Sequence, residues 1–247
     1  MIRALTLDLD DTLWAVAPAL ARAELALEQW LHDHCPAVAE RFPVATMRAL
    51  RERLAAERPD LAHDYTGQRR LSIAAAFAAC GQDDALVDAA FEAFYTARNQ
   101  VEIYADVAAA LRRIAARVPI VSVSNGNADL RRIGLHPWFH DQVSARAVGV
   151  AKPDPRIFHV ACERVGCHPS QVLHVGDDPH LDVAGARAAG LRAAWIDRHG
   201  APWPDLAAPE LSFTGLDALA DWVETHAVRP APVAEFRSGA AAGQLQP

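Results

Sequence analysis

LTLDLDDTL, residues Leu5 to Leu13, reads as a short strand that runs straight into a cluster of carboxylates. Leu5, Leu7 and Leu9 alternate with Thr6, Asp8 and Asp10, and Ile2 adds apolar character upstream. A short β-compatible run bounded by a polar turn is what a buried strand of an α/β sheet requires. Asp8, Asp10 and Asp11 crowd three like charges together, and such charges repel and desolvate badly unless something positive sits among them. A hard cation held by oxygen ligands is the economical remedy, with Mg²⁺ the first candidate. On an extended chain the side chains of Asp8 and Asp10 point the same way, so two carboxylates would face one ligand. The plainer alternative is a polar turn after a strand, with Asp11 or Thr12 capping a helix.

A chain of 247 residues can bury a full core as one large domain or two small ones. Its 51% hydrophobic and 22% charged content is that of a soluble globular protein. The net charge of −7 and pI near 5.8, with no basic tract, argue against a nucleic-acid partner. A metal and a few cations can still reverse the field locally for a phosphorylated small-molecule substrate. Cys35, Cys80, Cys162 and Cys167 show no CxxC spacing, as expected of reduced thiols in a cytosolic protein. The first strand begins almost at Met1, which leaves no room for a signal peptide, and no apolar run approaches membrane-spanning length. A soluble, cytoplasmic protein without a membrane partner is expected. The oligomeric state is left open.

After Trp14 the character changes. Residues 16–99 are rich in Ala, Leu, Glu and Arg at helical spacing, with helices expected over Ala19–His34, Val44–Arg58, Arg70–Cys80 and Asp84–Arg98. From residue 100 the reading returns to α/β. Strands are expected at Ile120–Val123, Val143–Val150, Val172–Val175 and Ala193–Ile196. Helices are expected at Ala105–Arg117, Ala128–Ile133, Asp154–Val165, Leu181–Ala189 and Leu216–Thr225. Such alternation implies right-handed crossovers and a parallel sheet. The chain therefore divides into a first core segment over 1–15, a helical insert over 16–99, the remainder of the α/β core over 100–227, and a Pro-, Ala- and Gly-rich tail over 228–247 expected to be disordered.

Ligands of an open parallel sheet bind beyond the carboxyl ends of its strands, and the informative polar residues stand there. Asp8 and Asp10 close the first strand. Ser124, Asn125 and Gly126 follow the second, and Gly176, Asp177 and Asp178 follow another, with Asp182 four residues beyond Asp178. Lys152 lies in GVAKPDPRIF, between an expected strand and a helix. The Ser124 hydroxyl and the amides after it would hold phosphate oxygens, or simply form a helix cap and turn. Lys152 would neutralise a phosphate and a carboxylate at once, or be a solvated surface lysine. Asp177, Asp178 and Asp182 would ligate or orient Mg²⁺, or cap a helix as dipole-favoured acids.

This order of motifs resembles the haloacid dehalogenase-like hydrolase superfamily: DLDDTL at Asp8–Leu13, SVSNG ending at Gly126, the AKP lysine Lys152, and GDDPHLD at Gly176–Asp182. The resemblance implies a Rossmann-like parallel-sheet core with an inserted helical cap. It also implies Asp8 as nucleophile, Asp10 as general acid/base, and phosphate held by Ser124, Asn125 and Lys152. Mg²⁺ would be ligated by Asp8, the backbone carbonyl of Asp10 and Asp177, with Asp178 and Asp182 in support. Halide departure needs no protonation, so the second carboxylate favours a phosphatase over a dehalogenase. The segments SNGNADL, LHVGDDPHLDVAGARAAGLRAAWI and HDYTGQRRLSI further resemble the bacterial flavin mononucleotide phosphatases. That group includes enzymes acting on the phosphoribitylaminouracil intermediate of riboflavin synthesis. Ser124 stands where a threonine is usual, and Trp14 where a tyrosine is usual.

Trp14 either shapes the pocket mouth or packs the junction of core and cap. His63, Asp64, Arg69 and Arg70 are the polar cluster placed nearest the pocket, against a solvated helix start as the alternative. Competing readings are a sugar-phosphate or nucleotide phosphatase of broad specificity, a phosphoacceptor signalling domain and a non-catalytic binding protein. The insert, the chain length and Asp10 speak against a signalling domain, and the presence of every catalytic residue type speaks against a binding protein.

Overall fold

The computed structural model describes residues 1–227; the tail expected over 228–247 lies outside the described residues. Six parallel strands form one sheet: β1 (Ala4–Leu7), β2 (Ile120–Ser124), β3 (Asp141–Ser144), β4 (Val172–Gly176), β5 (Arg192–Ile196) and β6 (Leu211–Phe213). Their spatial order is β3-β2-β1-β4-β5-β6, so β1 is central, with Leu7 paired to Ser122 on one side and to Val175 on the other. All four residues of β1 are buried, as a parallel strand covered on both faces must be. The order reverses beside β1, which puts the loops after β1 and β4 side by side at the carboxyl edge.

Between β1 and β2 the chain runs through α1 (Val16–His34), α2 (Pro36–Arg41), α3 (Val44–Glu57), α4 (Tyr65–Ala79), α5 (Val87–Arg98) and α6 (Val107–Ala115). Beyond β2 come α7 (Leu130–Ile133), α8 (Ala145–Val148), α9 (Pro155–Arg164), α10 (Gly185–Ala188) and α11 (Leu216–His226), with a π-helical segment at Pro179–Ala184 leading into α10. Buried apolar side chains form three clusters. One packs α6 and α11 against the sheet through residues such as Leu5, Leu111 and Leu219. A second packs α9 on the opposite face through Val123, Phe158 and Val183. A third, built on Leu27, Ile73, Phe77 and Phe94, lies wholly within the helices α1–α5. The two chain crossings between those helices and the sheet lie together, because Trp14 forms an antiparallel bridge with Ile103 and the Tyr104 amide donates to the Leu13 carbonyl at 3.0 Å.

Several expected elements take another form. The apolar run Val143–Val150 is not one strand: β3 ends at Ser144, whose Oγ accepts from the Ala147 amide and starts α8, and Gly149 (φ 83°) closes that turn in the left-handed region. The short helix expected from Ala128 begins only at Leu130, capped by Asp129. No helix therefore opens directly after Ser124. The expected Leu181–Ala189 helix is split between the π-helical segment and α10. The insert holds five helices rather than about four, α2 being the short extra one. At the edge, β6 is three residues in a proline-rich stretch and carries too little periodicity to be read from sequence.

Candidate active site

β1 stops at Leu7, and the Asp8 amide still donates to the Val175 carbonyl at 2.9 Å, so Asp8 sits beside the end of β4. Asp11 turns the chain with φ 59°, a conformation that aspartate tolerates better than most residues. Its Oδ1 accepts from the Val16 amide at 2.9 Å and so caps α1. The capping alternative for Asp11 is thus real, and it coexists with the site. Thr12 instead turns inward and donates to Asp177 Oδ1 at 2.9 Å.

Lys152 organises the centre. Its Nζ lies 2.5 Å from Asp8 Oδ1 and 2.6 Å from Asp182 Oδ1, with the lysine only 4% exposed. Asp182 Oδ1 also meets His174 Nε2 at 2.9 Å, and His174 Nδ1 lies 2.8 Å from Thr6 Oγ1. Nε2 must donate to the carboxylate, so Nδ1 accepts from the Thr6 hydroxyl. Burial lowers the His174 pKa, which keeps the ring neutral. Asp182 is deeply buried, yet Lys152 and His174 together hold its carboxyl below the usual range. Asp8 goes the other way. Burial drives its pKa well up, Lys152 opposes this, and Asp182 and Asp177 add to the rise. Burial and Asp182 push Asp177 up to about 7.

Oxygen atoms of Asp8, Asp177 and Asp182 lie within 4.8 Å of one another. Three carboxylates against one ammonium leave negative charge uncompensated, which adds to the rise that burial imposes on Asp8 and Asp177. The donor set is all oxygen, which suits a hard divalent cation such as Mg²⁺. Asp182 is already engaged by Lys152 and His174, so Asp8 and Asp177 are the freer ligands. Asp178 caps the π-helical segment through the His180 and Leu181 amides, at 2.7 and 2.8 Å.

The Asp10 carboxylate does not join this cluster, although it lines the same cavity as Asp8. The extended strand ends before it. Its oxygens accept instead from Arg98 Nη2 at 2.7 and 2.6 Å and from Trp14 Nε1 at 2.8 Å. Ser124, at the end of β2, is buried and accepts from the Gly126 amide at 2.9 Å. Asn125 spends its side chain on the Lys152 backbone, accepting from the amide at 2.7 Å and donating to the carbonyl at 3.0 Å, so it fixes the lysine loop.

One cavity of about 480 Å³ is lined by Asp8, Asp10, Ser124, Asn125, Lys152, Asp177, Asp178 and Asp182 together with residues of α1, α3, α4 and α5. Arg69 lines it, whereas Arg70 does not. Arg70 ion-pairs with Asp88 and lies over Phe91 on the outer side of α4. His63 and Trp14 are also off the cavity wall; Trp14 is wholly buried at the junction of insert and sheet. Asp64 caps α4 through the Gly67 amide at 2.8 Å. Arg98, Thr12 and His174 were not anticipated as site residues. Thr12 lies inside the decisive motif and is legible there, while one buried arginine among the many of residues 16–99 carries no distinguishing signal.

No described helix is long and apolar enough to cross a membrane. The profile of the haloacid dehalogenase-like hydrolases matches residues 2–190. The chain is 30% identical over 226 residues to the 5-amino-6-(5-phospho-D-ribitylamino)uracil phosphatase YigB of Escherichia coli, covering 88% of this chain and 94% of that one. It is 37% identical over 126 residues to a phosphoserine phosphatase of Thermus thermophilus, about half of either chain (49% and 51%). Among solved structures, a 2-haloacid dehalogenase from Pseudomonas syringae pv. Tomato superposes with a TM-score of 0.84 at 37% identity, covering 90% of this chain and 100% of that one. With its motifs, parallel sheet and acid–lysine centre, the chain belongs to the haloacid dehalogenase-like hydrolases.

Proposed function

We propose that this hydrolase is a Mg²⁺-dependent phosphomonoesterase that works through an aspartyl-phosphate on Asp8. We propose flavin mononucleotide or the phosphoribitylaminouracil intermediate of riboflavin synthesis as its substrate. The observation that carries the reading is Lys152 Nζ at 2.5 Å from Asp8 Oδ1, in a cavity that a second carboxylate, Asp10, also lines. Asp8 attacks phosphorus in line, and the P–O bond to the alcohol breaks as the new bond to the carboxylate forms. Asp10 gives a proton to the departing alkoxide and later takes one from the water that hydrolyses the aspartyl-phosphate. Lys152 and the Ser124 hydroxyl hold the phosphoryl oxygens. Asp8, Asp177 and the Asp10 carbonyl would hold a divalent cation, which would supply further positive charge at the phosphoryl group. The helices α1–α5 act as a cap that shields the reaction from water and selects the alcohol. The substrate assignment is supported by the relation to the E. coli phosphatase, and by a cavity within the roughly 300–1,000 Å³ usual for small-molecule sites.

Phosphate release from a panel of phosphomonoesters, with Mg²⁺ and with EDTA, tests the reading, with Asp8→Asn as control. Mg²⁺-dependent release that favours the flavin-pathway esters is expected. Flat activity across sugar phosphates and nucleotides would keep the phosphatase and discard the riboflavin assignment. Halide release from a 2-haloacid with no phosphate release would overturn the phosphatase itself.

A further inference from the structure

Arg69 is a buried and poorly compensated charge on the cavity wall. It is 2% exposed, and among the described residues its acceptor is Glu24 Oε1, at a long 3.5 Å from Nη2. The other Glu24 oxygen is held by Arg48 Nη2 at 2.5 Å. Burial, with the neighbouring Arg51 cation next in weight, lowers the Arg69 pKa to about 10. A buried cation normally comes with a paired carboxylate and satisfied donors, and this one has neither in full. Arg51, which also lines the cavity, has only Glu52 at 3.9 Å. Arg70, one residue on, makes the contrast: it faces outward and is neutralised by Asp88.

The geometry of Arg69 says what would complete it. Its Cζ sits 4.2 Å from the centroid of Phe94, so the aromatic ring covers one side of the guanidinium. What stays available is the edge, a rigid fork of N–H donors that matches two adjacent coplanar acceptors. Lys152 lies in the same cavity, so one ligand can reach both cations.

We infer that Arg69, seated on Phe94 with Arg51 beside it, is a second recognition element that takes a pair of adjacent coplanar acceptors at the end of the substrate remote from its phosphate. This rests on the phosphomonoesterase reading and deepens it. Two chemistries supply such a pair, the adjacent carbonyl oxygen O4 and ring nitrogen N5 of a flavin, and a carboxylate. A site built to hydrogen-bond a substrate group discriminates strongly against an analogue that lacks it, because the buried donors are then left unpaired.

The test compares three esters: flavin mononucleotide, 4-carboxyphenyl phosphate, and phenyl phosphate, which has no remote acceptor. The variants are Arg69→Gln, the half-exposed Arg51→Gln in case the buried change impairs folding, and Arg70→Gln as an outward control. KM for an acceptor-bearing ester is expected to rise about tenfold or more in Arg69→Gln and Arg51→Gln with kcat largely kept, and to stay within about twofold for phenyl phosphate. Arg70→Gln should match wild type throughout. A response confined to flavin mononucleotide identifies the O4/N5 acceptor pair of the flavin, and one confined to the carboxyphenyl ester identifies a carboxylate. Equal KM values in variants and wild type for all three esters overturn the inference while leaving the phosphatase intact. Calorimetric Kd values for the same esters on Asp8→Asn decide the matter without turnover. If wild type cleaves none of them, the phosphatase reading falls, yet a Kd that weakens with Arg51→Gln on the Asp8→Asn background still upholds the remote site. Unchanged or absent binding there rejects it.

Discussion

Arg98, the last residue of α5, places its Nη2 at 2.7 and 2.6 Å from the two carboxylate oxygens of Asp10, and so ties the helical insert to the loop after β1. Trp14 Nε1 adds a third donor at 2.8 Å. Arg98 is 1% exposed and its Nη1 has no partner among the described residues, so this guanidinium is buried chiefly for what it does to Asp10. A charge-assisted contact of this length holds the carboxylate in one orientation. Arg98→Gln should therefore lower kcat about 10- to 100-fold, the scale on which a displaced acid/base group costs rate. Arg98→Lys should recover part of the loss. Steady-state kinetics on phenyl phosphate checks this, and wild-type kcat in Arg98→Gln would show that Asp10 needs no such tether.

The chain Asp8–Lys152–Asp182–His174–Thr6 is continuous through contacts of 2.5 to 2.9 Å. It spans the loop after β1, the loop before α9 and the π-helical segment. Lys152 is held between two carboxylates, and its own pKa is raised by them against the cost of burial. It thus stays charged where a phosphate would arrive. What the chain lacks is positive charge on the Asp177 side, and this gives the protein a pH signature.

Asp177 is held at about 7 in the folded chain against an ordinary value of 3.8. A carboxyl whose folded pKa is raised contributes stability fully present below its unfolded pKa and lost as the pH rises through its folded value. In EDTA, wild type should therefore lose Tm relative to Asp177→Asn between about pH 4 and about pH 7.5. The relative change should be about 3 °C or more, roughly 1 kcal/mol in a chain of this size. The comparison with Asp177→Asn cancels His174, which titrates in the opposite sense. Added Mg²⁺ should raise the wild-type Tm more near pH 7.5 than near pH 5, since ligation needs the carboxylate, and should do little for Asp177→Asn. Thermal unfolding in the two buffers decides it: a Tm difference independent of pH would mean that Asp177 titrates normally.

The parts of this site legible in the sequence are those governed by strand ends. Asp8, Ser124 and Asp177 each stand at the end of a buried strand, and a parallel sheet brings such positions to one edge whatever the helices do. Lys152 was legible only through its motif, since a lysine in a loop has no periodicity to place it. What periodicity could not reveal was side-chain direction past the end of a strand. Asp10 is held by Arg98 and Trp14 rather than by the acid–lysine cluster, and Arg69 and Arg70 separate because consecutive residues of a helix face different sides. Arg98 and His174 gave no signal, because their roles arise from tertiary contacts to Asp10 and Asp182. The run Val143–Val150 was ambiguous for a different reason: short apolar stretches suit strand and helix alike, and here Ser144 and Gly149 set a single helical turn.

Gly126 sits where the loop after β2 meets Asp10. A Cβ added there would lie 2.5 Å from Asp10 Oδ2 and 3.2 Å from Ser124 Oγ. The first contact is too close to survive. Its partner is a side chain, which would ordinarily swing aside, but this carboxylate is held by Arg98 and Trp14. Gly126→Ala must therefore break that clamp, displace Ser124 or shift the loop, and each of these moves a group proposed to act on the phosphoryl centre. The glycine carries no positive φ, so alanine brings no backbone strain, and any loss of Tm reports the disrupted Asp10 contact. Its kcat should fall on the order of 100-fold, as expected for a displacement of about 1 Å in a reacting group. Adding Arg98→Gln, which frees the carboxylate, should cost Gly126→Ala much less than it costs wild type, because the two changes disrupt one shared contact. Strictly additive losses in the double variant would place the effect of Gly126 on Ser124 alone.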